Sequence, residues 1–321
     1  MSKNLMSSIK DMWDVVLPPL PKPSLMTGTA QTMLSWPKVI TSIDEIPDAF
    51  KTFFKTWLGD APEFPHVILS PTKKGFFNSS GDKLICEMND TIYVVEQFRD
   101  RIIANGYTPE NIRDVEVGAV LLHGWITIKG INKEGVPAVS IFLFNSAQSD
   151  MFAPFIAKIR SAPTSPDETA LDKERAKLDY LSQLDFKFMN YARSSLIGGE
   201  QVIESVWQPE IQTTVGSVFG LSLTRTLSPA HLAMLTDKEL ILIKDEPRSR
   251  GNKGVRYGGI RHYIPLRSIG AVSLTEQAND LVALSIHLSE DENVDSLFTA
   301  SKEKEVLQLK TEIEKLIVNI Q

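Results

Sequence analysis

The amino-acid sequence predicts an α+β protein, mostly β, with two bent antiparallel sheets or partly open barrels, each closed by a C-terminal helix. A helical N-terminal extension precedes them and a helical linker joins them. Short apolar runs rich in β-branched and aromatic residues recur between turn pairs such as Asn89-Asp90 and Asn279-Asp280. The order of elements over 91–160 returns in longer form over 235–317, and each copy ends in a segment of helical periodicity. The 321 residues suffice for two domains with their own cores. The expected division is 1–64 for the extension, 65–160 for the first β-rich domain, 161–199 for the linker and 200–321 for the second.

In the extension, Leu5, Ile9, Met12, Trp13, Val16 and Leu17 fall at helical spacings, predicting a short amphipathic helix over 2–17. Pro18, Pro19, Pro21 and Pro23 stop it and stiffen the chain that follows. A second helix is expected to begin near Pro47 and stop at Gly59. Ile46, Phe50, Phe53, Phe54, Trp57 and Leu58 line one of its faces. Such a stripe can enter a membrane interface or meet a partner. More commonly it is core docked on a sheet, and with only Lys51 and Lys55 on this helix, core is the stronger reading.

Residues 67–69, 83–86 and 91–95 read as strands. Strands over 113–122 and 125–131 follow, with His123-Gly124 as the turn between them, and another lies over 138–144. Met151, Phe152, Phe155, Ile156 and Ile159 then recur at helical spacing. In the linker, Pro166-Asp-Glu is a good helix start. Leu171, Leu178, Leu181, Leu184, Phe188 and Tyr191 mark one face of a single long helix, suited to inter-domain or partner contact. Strands are expected over 200–206, 218–227, 231–235, 239–244, 261–265, 269–274, 281–288 and 294–299. In the last helix Val306, Leu309, Ile313, Leu316 and Ile320 form the seam, with Ser301 as its candidate N-cap.

The two copies align by residue. Thr91-Ile-Tyr-Val-Val-Glu corresponds to Glu239-Leu-Ile-Leu-Ile-Lys, and Tyr107-Thr-Pro-Glu-Asn-Ile-Arg-Asp-Val-Glu-Val to Tyr263-Ile-Pro-Leu-Arg-Ser-Ile-Gly-Ala-Val-Ser. A bent antiparallel sheet plugged at its open end by an amphipathic helix is the physical logic of such a repeat. Met234-Leu-Thr-Asp-Lys-Glu-Leu-Ile-Leu-Ile and Tyr263-Ile-Pro-Leu-Arg-Ser-Ile, followed by strands and one helix, resemble the bacterial pleckstrin-homology-like family and its GRAM-like relatives. The resemblance covers 200–318 and extends to 65–160 through the repeat. It implies binding of lipids, peptides or proteins and no catalysis. Its motifs are packing and turn residues, so they speak to fold more than to a site.

The sharpest compositional shift is Arg248, Arg250, Lys253, Arg256, Arg261 and Arg267, with no acid between Pro247 and Thr275. With Gly251, Gly254, Gly258, Gly259 and the adjacent His262, this loop is a candidate anion site for an acidic peptide or a lipid headgroup. The plainer reading is a solvated hairpin loop. The family's lipid-binding loop lies between its first two strands, whereas this one comes later. Nucleic acid is disfavoured by a formal net charge of −6 and by limited aromatic interleaving, Tyr257 and Tyr263 alone. No His-Glu-x-x-His, Walker loop, Gly-x-Ser-x-Gly or EF-hand occurs, so no metal, cofactor or catalytic residue is expected. Cys86, the single cysteine, reads as a small buried hydrophobe and suits a reducing cytoplasm. No apolar run is long enough to span a bilayer. The expected function is a non-catalytic binding or scaffold protein mediating protein–protein contact or self-association. The alternative is a peripheral protein at the inner face of the membrane that binds anionic lipid through 248–261.

Overall fold

The computed structural model describes residues 36–58, 64–70, 80–98, 101–218, 221–246, 258–289 and 292–320. The helix expected over 2–17, the prolines after it and the Gly59 stop lie outside them. Residues 35–321 make one compact unit, and the other unit, 1–34, lies wholly outside the described residues. The chain is α+β and mostly β, with several antiparallel sheets and a C-terminal helix.

The first sheet takes its strands in chain order: β1 (Lys38–Ile40), β2 (Val67–Ser70), β3 (Ser80–Met88), β4 (Thr91–Phe98) and β5 (Arg101–Tyr107). Helix α1 (Asp48–Leu58) connects β1 to β2. Its Phe50 and Phe54 are fully buried with Ile40, Ile46, Val67, Leu84 and Val95. Residues 38–58 are therefore part of the fold and not an extension of it. The β3–β4 turn falls on Asn89-Asp90, both at positive φ, where short polar side chains are tolerated. Strand β5 is not among the expected strands, and its Asn105 and Gly106 are poor strand formers. Gly106 is needed inside the strand, since a Cβ there would sit 2.7 Å from the Tyr93 ring.

A 3₁₀ turn (Pro109–Asn111) leads to β6 (Ile112–Val120), β7 (His123–Ile131), β8 (Pro137–Asn145), a second 3₁₀ turn (Ser146–Phe152) and α2 (Ala153–Ile159). The β6–β7 turn is Leu121-Leu122, not His123-Gly124. Gly124 belongs to β7, where a Cβ would come within 2.6 Å of Phe144. The linker is not one helix but α3 (Glu168–Ala176), a 3₁₀ turn (Asp179–Gln183) and α4 (Phe186–Ser195). The break has a cause in Asp185, whose carboxylate accepts from Lys187 N (2.9 Å) and Phe188 N (3.2 Å) and so starts a new helix.

The remaining strands are β9 (Val202–Gln208), the hairpin β10 (Ile211–Val218) and β11 (Leu221–Ser228), β12 (His231–Thr236), β13 (Glu239–Lys244) and β14 (Gly259–Pro265). After a 3₁₀ turn (Leu266–Ser268) come β15 (Ala271–Gln277), β16 (Leu281–Ser289), β17 (Glu292–Thr299) and α5 (Glu303–Ile320). The single strand expected over 218–227 is thus one arm of a hairpin. The seam of α5 is Val306, Leu309, Ile313 and Ile317, with Leu316 only partly buried and Ile320 exposed. A straight helix of 3.6 residues per turn drifts off the 3.5-residue spacing that selected Leu316 and Ile320. Ser301 lies in a 3₁₀ turn ahead of α5 and meets the Thr299 hydroxyl at 2.9 Å.

The two β-rich halves are fused. A seven-stranded sheet runs β8-β7-β6-β14-β13-β12-β9, and β14 pairs antiparallel with β6 from Gly259↔Ala119 to Tyr263↔Val115. One core lies under one face of this sheet and draws on both halves, from Ile85, Val94 and Phe142 to Trp207, Leu232 and Tyr263. The linker is part of that core through Leu171, Leu181 and Phe188, whose ring centroid is 4.3 Å from that of Trp207. The expected boundary between 65–160 and 200–321 therefore cuts through one sheet and one core. A second core gathers Leu242, Ile264, Leu284 and Phe298 under α5.

Both edges of the long sheet are bonded by side chains. On β9, Val202 N donates to Glu174 (2.7 Å), Lys177 donates to Val202 O (3.2 Å), and the Tyr180 and Ser205 hydroxyls meet at 2.8 Å. On β8, Lys83 donates to Ile141 O (2.8 Å) and Ser70 to Leu143 O (2.6 Å). Such capping removes the open ladder that another strand would join. Among the described residues no helix is long and apolar enough to cross a membrane.

Candidate functional site

Strand β14 carries the described part of the expected anion site, and strand geometry divides it. Successive side chains point to opposite faces. Arg261 and Tyr263 therefore meet the linker helices, whereas His262 faces the other way.

On the linker face, the Arg261 guanidinium lies 4.5 Å from the Tyr191 ring centroid and donates to Ser194 Oγ at 3.3 Å, while its Nε is buried without a partner. Further along, Arg160 at the end of α2 stacks on Tyr263, with 4.0 Å from guanidinium carbon to ring centroid. It donates through Nε to Glu239 Oε1 (2.9 Å), again through Nη2 to the same oxygen, and to Ser195 O (2.7 Å). Glu200 Oε2 is 3.5 Å from Nη2 and accepts from Ile197 N at 3.0 Å, while Oε1 is buried without a partner. Two buried carboxyls thus share one cation. Burial first, and then the Glu239 charge, push Glu200 up to about 8, so at neutral pH it keeps a proton.

On the other face, His262 sits between two carboxylates. Its Nδ1 is 3.3 Å from both oxygens of Asp114, and its Nε2 is 3.6 Å from Glu116 Oε2. Trp125 Nε1 donates to the other oxygen of Glu116. Lys129 reaches Asp114 at 3.2 Å and Glu292 at 3.7 Å, and Arg113 approaches Glu292 at 3.9 Å. Burial acts to raise the Asp114 carboxyl, but His262 and Lys129 outweigh it and hold the group below its ordinary value. Lys244 lies nearby and donates to Asp295 O at 2.7 Å, and burial lowers it to about 8. These groups are tied to one another: His262 meets Asp114 and Glu116 across the β6–β14 seam, and Lys129 and Arg113 reach Glu292 on β17. The arrangement bolts the halves together.

Arg261 and His262 thus belong to different clusters on opposite faces of β14. His262 in particular faces carboxylates, which would repel an anion. Arg248, Arg250, Lys253 and Arg256 lie outside the described residues. Arg267 donates to Pro109 O at 2.5 Å and Glu110 O at 3.3 Å, so it braces the first 3₁₀ turn. Of the helix stripe, Phe50 and Phe54 are core, Phe53 is partly buried against them, and the Trp57 side chain lies outside the described part. Two of its four residues are thus closed to a membrane or a partner.

Cys86 is buried in the first sheet, and burial pushes its thiol up to about 12, so it is not a thiolate at neutral pH. His231 is buried with Nδ1 3.0 Å from Pro229 O, Nε2 without a partner and the ring against Phe298 at 4.8 Å; burial lowers it to about 4. His287 bridges Ser273 and Asn293, both at 2.8 Å. His66 stacks on Phe155 at 5.1 Å, and His123 lies 5.7 Å from Trp125. Among the described residues no three His, Cys, Asp or Glu side chains are grouped to hold a metal.

The Arg160, Glu200 and Glu239 cluster has no spacing signature, because Glu239 is 79 positions from Arg160. The usable signal is a charge out of place. Glu239 opens the apolar strand Leu240–Ile243, and Arg160 closes an apolar helix. Comparison of the chain with protein-family models, curated proteins and solved structures gave no match.

Proposed function

We propose that the chain is a non-catalytic binding protein built from two pleckstrin-homology-like units, mediating protein–protein contact or self-association. The carrying observation is an order of elements that occurs twice. Strands β2–β5, a 3₁₀ turn, β6–β8 and α2 make four strands, then three, then a helix. Strands β9, β12, β13 and β14, a 3₁₀ turn, β15–β17 and α5 repeat it, with the β10–β11 hairpin inserted after the first strand. The sequence correspondence follows this order, since β4 and β13 each come third and a Tyr-x-Pro lies where the fourth strand gives way to the 3₁₀ turn both times. The Ile112 and Ile269 N–H groups then close the two 3₁₀ turns alike.

The charge clusters support the same reading, because their groups are bonded to one another and join the two halves. For self-association the outer face of α5 offers Leu307 and Val318, both exposed and three turns apart on one stripe. Light scattering after size exclusion, over a wide concentration range, is the test. A defined oligomer that dissociates on Leu307→Glu with Val318→Glu is expected. A monomer at every concentration would remove self-association. Contact with anionic lipid is the second reading, favoured by the exposed Leu121-Leu122 turn.

A further inference from the structure

Linker helix α4 ends at Ser195 and β9 begins at Val202, so 196–201 is the chain's route from linker to sheet. Glu200 closes this loop on itself. Its N–H donates to Ile197 O at 3.3 Å, and its Oε2 accepts from Ile197 N at 3.0 Å. Leu196, 4% exposed, anchors the loop in the core that both halves share. Gly198 lies against Pro166, where a Cβ would come within 2.4 Å. Gly199 has a φ of 77°, a conformation that glycine takes freely.

Charged groups reach this loop from every element packed on it. Arg160 comes from the end of α2 and Glu239 from the start of β13, with Tyr263 of β14 stacked on the guanidinium. Farther out, Asp237 accepts from Gln201 N at 2.8 Å, and Lys238 Nζ is 3.4 Å from where a Gly199 Cβ would lie. Glu174, paired with Lys177, accepts from Val202 N. In the buried set two carboxyls face one guanidinium. Glu239 takes two of its hydrogen bonds, whereas Glu200 stands at 3.5 Å. A second buried negative charge there has no cation of its own, so the closed loop needs the Glu200 proton. Glu200 is also the group free to leave. Glu239 sits in β13, paired on both sides by β12 and β14, and Arg160 is clamped by Tyr263 and Ser195 O. An outward swing of Glu200 puts its carboxylate in water and gives up only its bonds to Ile197.

We propose that loop 196–200 is a proton-dependent latch: protonated Glu200 holds the end of the linker against the sheet, and release of that proton to water lets the loop swing out about Gly199. The opening is local, since α4 keeps its own hold on β9 through Phe188 and Trp207. Its sign follows from linkage. The open loop carries an ordinary carboxylate, whereas burial and the Glu239 charge push the closed one up to about 8. Opening therefore grows by up to about tenfold per pH unit between 4.5 and about 8, and then levels.

The test is hydrogen exchange of the full chain from about pH 5.5 to about pH 7.5, with each rate corrected for the intrinsic pH dependence of amide exchange. In wild type, protection of the Ile197, Glu200 and Gln201 amides is expected to fall by about tenfold per pH unit while β16 keeps its protection. Glu200→Gln keeps the shape of the side chain without its ionisation and is expected to abolish the fall. Glu239→Gln leaves Arg160 to Glu200 alone and is expected to shrink it, which decides the matter if the first variant does not fold. Wild-type protection at 196–201 that did not change with pH would overturn the latch. An equal fall in β16 would overturn it too, because the opening would then be global. So would a fall of wild-type size in either folded variant.

Discussion

On one face of β14 a single guanidinium serves two carboxyls; on the other, two carboxylates face a histidine and a lysine. Both clusters are buried, and both join the same two halves, yet their acids behave oppositely. Glu200 is pushed up to about 8, whereas Asp114 is held below its ordinary value in a deeper position. Burial raises both, so the difference comes from the neighbours: the Glu239 charge adds to burial at Glu200, whereas His262 and Lys129 outweigh burial at Asp114.

The largest effect expected from this comparison is at Arg160. Arg160→Met leaves two buried carboxyls without their cation and should cost about 3–5 kcal/mol, read as a lower urea midpoint. If the cost were under about 1 kcal/mol, the cluster would not be holding the halves. Asp114→Asn comes next. It takes from Lys129 and His262 their nearer carboxylate, leaving only the longer approaches to Glu292 and Glu116, and should cost about 2 kcal/mol by the same measurement.

The pH dependence separates the clusters by sign. Glu200 has a folded pKa above its unfolded value of 4.5, so its contribution is full below about 4.5 and is lost as pH rises toward about 8. Glu200→Gln should flatten that decline and gain on wild type across the window. A wild-type urea midpoint that did not fall relative to the variant would show that Glu200 ionises freely. Asp114 runs the other way, with its contribution present above the ordinary carboxylate value and lost as pH falls through its depressed one. His231, depressed to about 4 from 6.5, likewise contributes above 6.5 and loses that contribution as pH falls. The smallest effect belongs to the turn: Leu121→Gly, which puts glycine at the position of the Leu121-Leu122 pair that has positive φ, should stabilise by about 0.5–1 kcal/mol, seen as a small rise in melting temperature.

Local chemistry was legible in the sequence. The Asn89-Asp90 and Asn279-Asp280 turns, the strands over 91–95, 239–244 and 281–288, and the aromatic stripe of α1 as core all follow from residue type and spacing. The departures at Gly124 and Gly106 come from packing between strands, and that at Asp185 from a local helix cap. Gly124 reads as a turn but makes room for Phe144, Gly106 makes room for Tyr93, and Asp185 turns an expected helix into two. The β6–β14 pairing joins strands about 150 positions apart and leaves no periodic trace. Arg261 and His262 are grouped in sequence because they are adjacent, but neighbours in a strand lie on opposite faces.

The fusion of the two units through β14 is the central claim, and hydrogen exchange read peptide by peptide tests it most directly. In wild type, the amides of β4 and β13 should open together, with one free energy. Arg160→Met should lower protection in both by the same amount, although Arg160 reaches only the second of them directly. Loss of protection confined to β12–β14, with β3–β4 still fully protected, would show two independent domains in contact and contradict the account.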